Sequence, residues 1–236
     1  MKDGRLQIDS WVTALNCYCY PVKLHCYEHR HTFPGYFNKL IKGDRDSTVE
    51  FENYFRNNAQ QSIEVYLEVV FWKLFSNKQF WENASRIINN VLRRNVKPES
   101  LYAAIKRFTE QPSVQNLRDF RDLLGIGSEV LAVPLTFPAF VNPEKYPMID
   151  NHVARWVNDH HREHSRERVE LTPFSLAYTS LRDNDFQNYV NWVNWCCDTA
   201  AILSEREGTY WRARDVEMAV FTVARGNIRN LELGVL

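Results

Sequence analysis

Apolar residues recur every three or four positions along most of this 236-residue chain, and this spacing constrains the fold more than any other feature. Residues spaced in this way lie on one face of an α-helix, where they can be buried together. The pattern is clearest over residues 98–108, 114–124, 185–204 and 215–225. We therefore predict an all-α protein that forms either a single unit or a two-lobed globule, since no segment rich in glycine or serine separates domains.

Residues that favour helix ends flank these segments and predict where the helices begin or end. Pro98 suits a first helical turn, because its missing N–H group would have no helical partner there. Ser113 is suited to cap the N-terminus of the next helix. Glycine adopts the left-handed backbone conformation that commonly ends a helix, and three of the segments are followed by one: Gly125, Gly208 and Gly226.

Three further segments depart from this simple spacing. Residues 63–75 are apolar on almost every side, which predicts a buried central helix, although the β-branched residues there also allow a strand. Residues 17–35 and 134–147 show no helical spacing, and the second of these segments contains four prolines. We therefore predict that residues 17–35 and 134–147 are irregular.

The composition excludes a disordered chain and gives no global charge that would attract a polyanion. Hydrophobic residues make up 44% of the chain, and 29 basic residues balance 29 acidic ones. A surface that binds nucleic acid would therefore have to be local. One local basic cluster is suited either to binding a DNA backbone or simply to keeping the surface soluble, and its members are Arg86, Arg93, Arg94, Lys97, Lys106 and Arg107.

The expected cellular location is inferred from three features: apolar runs, the start of the chain and the cysteine count. No apolar run approaches the roughly 20 residues of a membrane-spanning helix. The chain starts with polar residues and has no apolar core of a signal peptide. The odd count of 5 cysteines is typical of reduced thiols rather than of a disulfide framework. We expect a soluble protein of the cytoplasm, nucleoid or nucleus that is not secreted and does not bind membranes.

Two short motifs carry the strongest functional signal. Residues 123–132 read Leu-Leu-Gly-Ile-Gly-Ser-Glu-Val-Leu-Ala, and residues 149–153 read Ile-Asp-Asn-His-Val. In the first motif, Gly125 can end one helix, and Gly127 lets the backbone approach a ligand closely. If a helix begins directly after this turn, backbone amides at its N-terminus can bind a phosphate, and they belong to Gly127, Ser128 and Glu129.

The two motifs together resemble the helix-hairpin-helix DNA glycosylase superfamily, of the 8-oxoguanine and endonuclease III type. In that family a Leu-Pro-Gly-Val-Gly hairpin is followed by a helix and then by an apolar-Asp-x-His-Val segment. The resemblance implies a two-lobed helical fold in which about residues 60–157 form the hairpin lobe. Residues 1–59 and 158–236 would then form the second lobe. It also implies DNA as the partner, with Gly125, Gly127, Ser128 and Glu129 at its backbone.

The resemblance implies a catalytic role for Asp150. A carboxylate at this position stabilises the positive charge that develops on the deoxyribose as a flipped base leaves, and it orients the attacking water. Family members that also cut the strand carry a lysine where this chain has Glu129, which cannot form a Schiff base. The expected activity is therefore hydrolysis of a damaged or modified base from double-stranded DNA, without a lyase step. Asp150 is equally suited to capping the helix that follows, and the two roles are compatible.

Trp72 and Lys73 fall roughly where family members place the residue that fills the gap left by the flipped base. The alternative interpretation of Trp72 is a core residue, and that of Lys73 is a solvated neighbour. Two alternatives to the glycosylase also remain. One is a non-catalytic helix-hairpin-helix module that binds DNA or a protein. The other is a structural all-α protein.

The structural alternative includes a zinc site within residues 17–31. This segment contains several potential ligands, of which we take Cys17, Cys19, Cys26 and His29 as the set. The spacing is not the usual Cys-x-x-Cys, and aromatic residues flank the ligands, which also favours simple packing. The glycosylase interpretation requires no cofactor.

Overall fold

The computed structural model describes residues 2–20, 43–75, 81–126, 131–167, 169–175, 183–226, 228 and 230–236. These residues form helices without any strand, apart from one isolated bridge between Arg166 and Val169. This confirms the prediction of an all-α protein. The helices are α1 (Lys2–Asn16), α2 (Arg45–Asn58), α3 (Glu64–Phe75), α4 (Trp81–Arg93), α5 (Pro98–Glu110), α6 (Val114–Leu123), α7 (Thr136–Val141), α8 (Asn151–His164), α9 (Asp183–Glu207) and α10 (Ala213–Ala224).

The chain divides into two compact units, which we name by their place in the sequence. The central unit comprises Cys19–Ser128 and Val133–Val141, and the terminal unit comprises Met1–Tyr18, Glu129–Ala132 and Asn142–Leu236. These ranges differ from the lobes drawn from the sequence, which grouped α2 with the chain ends. They also differ for residues 142–157, which lie in the terminal unit.

The core of the central unit is aromatic. Helix α7 packs against α2, α3 and α5, and its two phenylalanine rings contact rings of α2, α3 and α6. Phe137 lies edge-on to Phe120 with ring centroids 5.1 Å apart, and Phe140 lies edge-on to Phe51 at the same separation. Such edge-to-face pairs add specific attraction to the burial of the rings.

The terminal unit is built around α10, which contacts α1, α8 and α9. Every residue from Ala213 to Thr222 is buried, although four charged residues lie in or next to this stretch. Two ion pairs compensate these charges: Arg212 pairs with Asp215 at 2.8 Å, and Arg214 pairs with Glu217. Burying a charge is costly unless a partner of opposite charge accompanies it, so the pairs explain how this helix occupies the core.

The predicted helix boundaries are confirmed where the described residues test them. Pro98 is the first residue of α5, and the Ser113 hydroxyl accepts a hydrogen bond from the Asn116 amide at 3.1 Å. Gly208 and Gly226 follow α9 and α10 with φ angles of +67° and +68°. The apolar segment 63–75 forms helix α3, as predicted, and not a strand.

One predicted loop is wrong. Residues 134–147 were expected to be irregular, but Thr136–Val141 form α7. Pro138 lies within the first turn of this helix, where its missing N–H group breaks no helical hydrogen bond. Of the other predicted loop, residues 17–20 are not helical, and the rest lies outside the described residues.

Among the described helices, even the 25-residue α9 lacks the combination of length and apolar character that crossing a membrane requires.

Candidate functional site

Asp150 caps the N-terminus of α8. Its Oδ1 atom accepts hydrogen bonds from the amides of His152 at 2.8 Å and Val153 at 2.9 Å. The half-buried carboxylate makes no hydrogen bond through Oδ2 within the part of the chain that the structure describes. One oxygen is therefore held in place by the backbone, and the carboxylate as a whole is partly exposed.

The segment before Asp150 is held rigidly by α9. The Tyr189 hydroxyl donates to the carbonyl of Pro147 at 3.0 Å, and the Trp192 indole donates to the carbonyl of Met148 at 3.0 Å. Ile149 is completely buried. These contacts position the backbone on the N-terminal side of Asp150, while α8 positions it on the other side.

The amide end of α10 holds the start of the same segment. The amides of Ala213 and Arg214 donate to the carbonyls of Glu144 and Pro143, at 3.2 Å and 3.0 Å. Amides in the first turn of a helix have no partner within that helix, so these bonds satisfy α10 and anchor the segment at once. The terminal unit therefore presents Asp150 from a framework of three helices.

Guanidinium groups lie near His152, two residues after this carboxylate. The His152 ring packs edge-on against Phe221 at 6.2 Å, and the Arg225 guanidinium lies over the same ring at 5.6 Å. Burial lowers the pKa of His152, the neighbouring carboxylate of Asp150 opposes this effect, and Arg225 and Arg155 reinforce it. The site thus combines a fixed carboxylate, an imidazole with a reduced tendency to be protonated, and nearby guanidinium groups.

The turn at Gly125 ends α6 as the sequence predicts. Gly125 has a φ of +66°, and its amide donates to the Asp122 carbonyl at 3.0 Å. The Ile126 amide donates to the Arg121 carbonyl at 3.2 Å. This pair of bonds is the Schellman arrangement, in which a glycine in the left-handed conformation satisfies the last carbonyls of a helix.

Helix α4 holds this turn from outside. The Asn90 side chain donates to the Gly125 carbonyl at 3.0 Å, and the Arg94 guanidinium donates to the Asp122 carbonyl. Sequence reasoning missed Asn90, because a contact between residues 35 positions apart leaves no local signal in the sequence.

The amides that the sequence predicts to bind phosphate belong to three consecutive residues after Ile126. Gly127, Ser128 and Glu129 lie outside the described residues. The structure differs from expectation just beyond them, where residues 131–135 form turns and the next described helix begins only at Thr136. No helix N-terminus therefore follows within residues 131–135, in contrast to the hairpin-then-helix pattern.

Trp72 cannot fill the gap left by a flipped base. Its side chain is 1% exposed, and its ring lies 4.6 Å from that of Tyr20 and 5.4 Å from that of Phe140. A side chain within an aromatic core does not reach a DNA stack, so the core alternative applies to Trp72. Lys73 is half-buried beside it, with its Nζ atom 5.8 Å from the centre of the Tyr20 ring.

The zinc hypothesis stays a prediction. Cys17 is exposed and Cys19 is half-buried, whereas Cys26 and His29 lie outside the described residues. Within the described ranges, no three His, Cys, Asp or Glu side chains are arranged to hold a metal ion.

Comparisons of this chain with models of protein families, with curated proteins and with solved structures found no match. Any function must therefore be argued from the residues and contacts described above.

Proposed function

We propose that this protein is a monofunctional DNA glycosylase that hydrolyses the N-glycosidic bond of a damaged or modified base. The observation that carries the proposal is the geometry of Asp150, whose Oδ1 is fixed by two amides while Oδ2 makes no hydrogen bond among the described residues. A fixed carboxylate stabilises a developing positive charge without having to reorganise during the reaction. The proposal includes double-stranded DNA as the substrate and the two-lobed glycosylase fold.

The proposed reaction replaces the base by a hydroxyl group. The bond between C1′ of the deoxyribose and the base nitrogen breaks, and its electron pair leaves with the base, which takes up a proton. Water adds to C1′ and loses a proton, so the products are a free base and an abasic sugar. Asp150 would face the oxocarbenium-like sugar in the transition state and orient the water.

The identity of residue 129 supports hydrolysis rather than strand cleavage. Cleavage of the family's bifunctional type needs a lysine amine that forms a Schiff base with the sugar. This chain has Glu129 at that position. We therefore propose that it leaves the abasic strand intact.

Substituting Asp150 by asparagine tests the role of its charge. Asparagine caps helices as well as aspartate does, so Asp150→Asn keeps the hydrogen bonds that begin α8 and removes only the negative charge. We expect the wild type to release a base from one or more lesion-bearing duplexes. We expect the variant to release it on the order of 100-fold more slowly. Base release is measured by chromatography of the free base and by alkaline cleavage of the abasic strand.

A matched control is available in the central unit. Asp44 caps α2 in the same manner, with its Oδ1 accepting a hydrogen bond from the Ser47 amide at 2.9 Å. Asp44→Asn makes the same chemical change and should leave base release unchanged. If both folded variants release the base as fast as the wild type, Asp150 has no catalytic role.

A second candidate function is a non-catalytic helix-hairpin-helix module that binds DNA. Glu129 favours it, since this chain lacks the hairpin lysine that the family's bifunctional members use for chemistry. This candidate predicts binding to duplex DNA without release of any base by the wild type. The same chromatographic assay, run beside a binding titration, separates the two functions.

A further inference from the structure

The structure sorts the basic cluster seen in the sequence into two kinds of residue. Two of its members form ion pairs, and a third, Arg94, donates to a backbone carbonyl and keeps its charge. Lys106 pairs with Glu110 at 3.5 Å, Arg107 pairs with Asp119 at 3.8 Å, and Arg94 binds the carbonyl of Asp122. The remaining members, Arg86, Arg93 and Lys97, are exposed and form no ion pair within the described residues.

The unpaired cations lie along one side of α4. Arg86 and Arg93 are seven residues apart, so they are exposed on the same face, about 10 Å apart along the helix axis. Lys97 follows in the turn between α4 and α5. Arg86 donates to the Asn83 side chain at 3.0 Å, which leaves its other guanidinium donors available. Glu82 lies on the same face in the first turn of α4, one helical turn before Arg86 and three turns before Arg93.

This face leads directly to the turn at Gly125. Asn90 and Arg94 lie on the C-terminal part of α4 and its end, and both bind carbonyls of that turn. An ideal Cβ placed on Gly125 would approach the Arg94 Nη1 atom to 3.5 Å, so this guanidinium lies against the turn itself. The cations of α4 and the turn thus form one continuous surface within the central unit.

We propose that this surface, which we call the α4 basic surface and define by Arg86, Arg93, Arg94 and Lys97, binds the phosphodiester backbone of duplex DNA. It rests on the proposed function only for the choice of DNA as the polyanion. The distance between Arg86 and Arg93 corresponds to about three nucleotide steps, at 3.4 Å per nucleotide along one strand. Arginine binds phosphate through a planar fork of donors, and the neighbouring Ser85 and Asn89 supply neutral donors.

The polar character of this face favours DNA over a membrane. Among the α4 side chains that the structure describes, Leu92 is the one large apolar side chain that is exposed, with 54% of its surface accessible. A helix that lies in a membrane interface needs a broad apolar face beside its basic one. The contacts made here would be to the backbone, so they give affinity and register but no preference for a base.

The test compares two double variants that remove the same charge. Arg86→Gln with Arg93→Gln removes two unpaired cations from the α4 basic surface. Lys106→Gln with Arg107→Gln removes two ion-paired cations from α5. Binding of the full chain to an undamaged duplex is measured by fluorescence anisotropy from about 50 to about 200 mM KCl. All four positions are exposed, and circular dichroism verifies that each variant is folded.

We expect the α4 variant to bind about tenfold or more weakly at the lowest salt concentration. Its plot of log K against log salt should be shallower by about 2, because two phosphate contacts are lost. The α5 variant should bind within about twofold of the wild type, since its cations already have partners. Equal losses in the two variants, or no loss in either, would overturn the proposal.

Two further measurements test whether the α4 basic surface prefers DNA and whether binding is independent of catalysis. Polyglutamate, or vesicles containing phosphatidylserine, should compete with the duplex poorly, and equally strong competition by either would contradict the choice of DNA. Asp44→Asn, at the cap of α2 and outside both proposed sites, should bind the undamaged duplex like the wild type. If no base is released but the salt dependence behaves as expected, the α4 basic surface stands and the catalytic proposal fails.

Discussion

Gly125 has a backbone conformation and surroundings that only glycine accommodates. Its φ is +66°, and a Cβ atom added to it would lie 2.8 Å from the Cβ of Asn90. Gly226 provides the matched control, because its φ is +68° and, among the described residues other than its chain neighbours, no atom lies within 4 Å of the position that its Cβ would take. The two glycines therefore share the backbone strain of a substitution and differ in the steric clash.

We expect Gly226→Ala to lower the free energy of unfolding by about 1 kcal/mol, the cost of a left-handed conformation for alanine. Gly125→Ala adds the clash with Asn90 and should cost about 2–4 kcal/mol. Urea titration followed by circular dichroism measures both. If the two substitutions lower the free energy of unfolding equally, then α4 moves away from the added Cβ atom without cost and does not hold the turn.

His164 makes the stability of the protein depend on pH. Its ring is buried against Trp156, with ring centroids 5.0 Å apart. Burial lowers the pKa of His164 to about 4, and His160 and Arg166 add to this effect. An unfolded histidine has a pKa near 6.5, so the unfolded chain binds more protons between these two values. Stability is therefore full above about pH 6.5 and falls as the pH is lowered toward 4.

We expect His164 to account for about 3 kcal/mol of the loss in unfolding free energy between these limits. His164→Phe keeps an aromatic ring in the site and should flatten this part of the stability curve. The control is the same substitution at His161, which is half-exposed on the same helix, because it removes a histidine that is not buried. If the unfolding free energy of His164→Phe still falls as the pH is lowered from about 6.5 to about 4, as in the wild type, then other groups cause the pH dependence.

At the scale of helices, α7 shows how tertiary contacts stabilise a segment with weak helical preference. It has only six residues and contains a proline. A helix this short is marginal in isolation, because nucleation costs more than a single turn of hydrogen bonds returns. Phe137 and Phe140 are both completely buried, and their packing stabilises the turn.

Truncating one of these rings should therefore destabilise the central unit strongly. Phe140 contacts three other rings, at 5.1 Å from Phe51, 5.4 Å from Trp72 and 5.7 Å from Phe55. We expect Phe140→Ala to reduce the free energy of unfolding by about 3–5 kcal/mol. Val141→Ala, at the half-buried end of α7, should cost well under half as much. Chemical denaturation with fluorescence detection measures this difference, and comparable losses would mean that the ring is not an anchor.

Elements with clear local signals were predicted well from the sequence. Helices α5 and α6 have regular apolar spacing and good end residues, so their bounds follow from interactions within a few residues. Asp150 was likewise recognised as a helix cap, since its partners are only two and three positions away. Helix α7 was missed because its stability comes from rings on α2 and α3, which are distant in the sequence.

At the scale of the whole molecule, the balance of 29 basic and 29 acidic residues conceals an uneven distribution of unpaired charge. Sequence alone groups Lys106 and Arg107 with Arg86 and Arg93. The structure separates them, because carboxylates of α5 and α6 pair with the first two and not with the others. Local unpaired charge, and not net charge, decides where a polyanion can bind.

The sequence by itself determined the helical class, the helix ends marked by Pro98, Gly125, Gly208 and Gly226, and the caps at Ser113 and Asp150. These features depend on hydrogen bonds and on side-chain spacing within about one helical turn. Only the tertiary structure decided that Asn90 holds Gly125, that Trp192 holds Met148 and that Trp72 belongs to the core. Such contacts join residues many positions apart, and they form because burying apolar surface at high packing density selects one arrangement of helices from the many that local preferences allow.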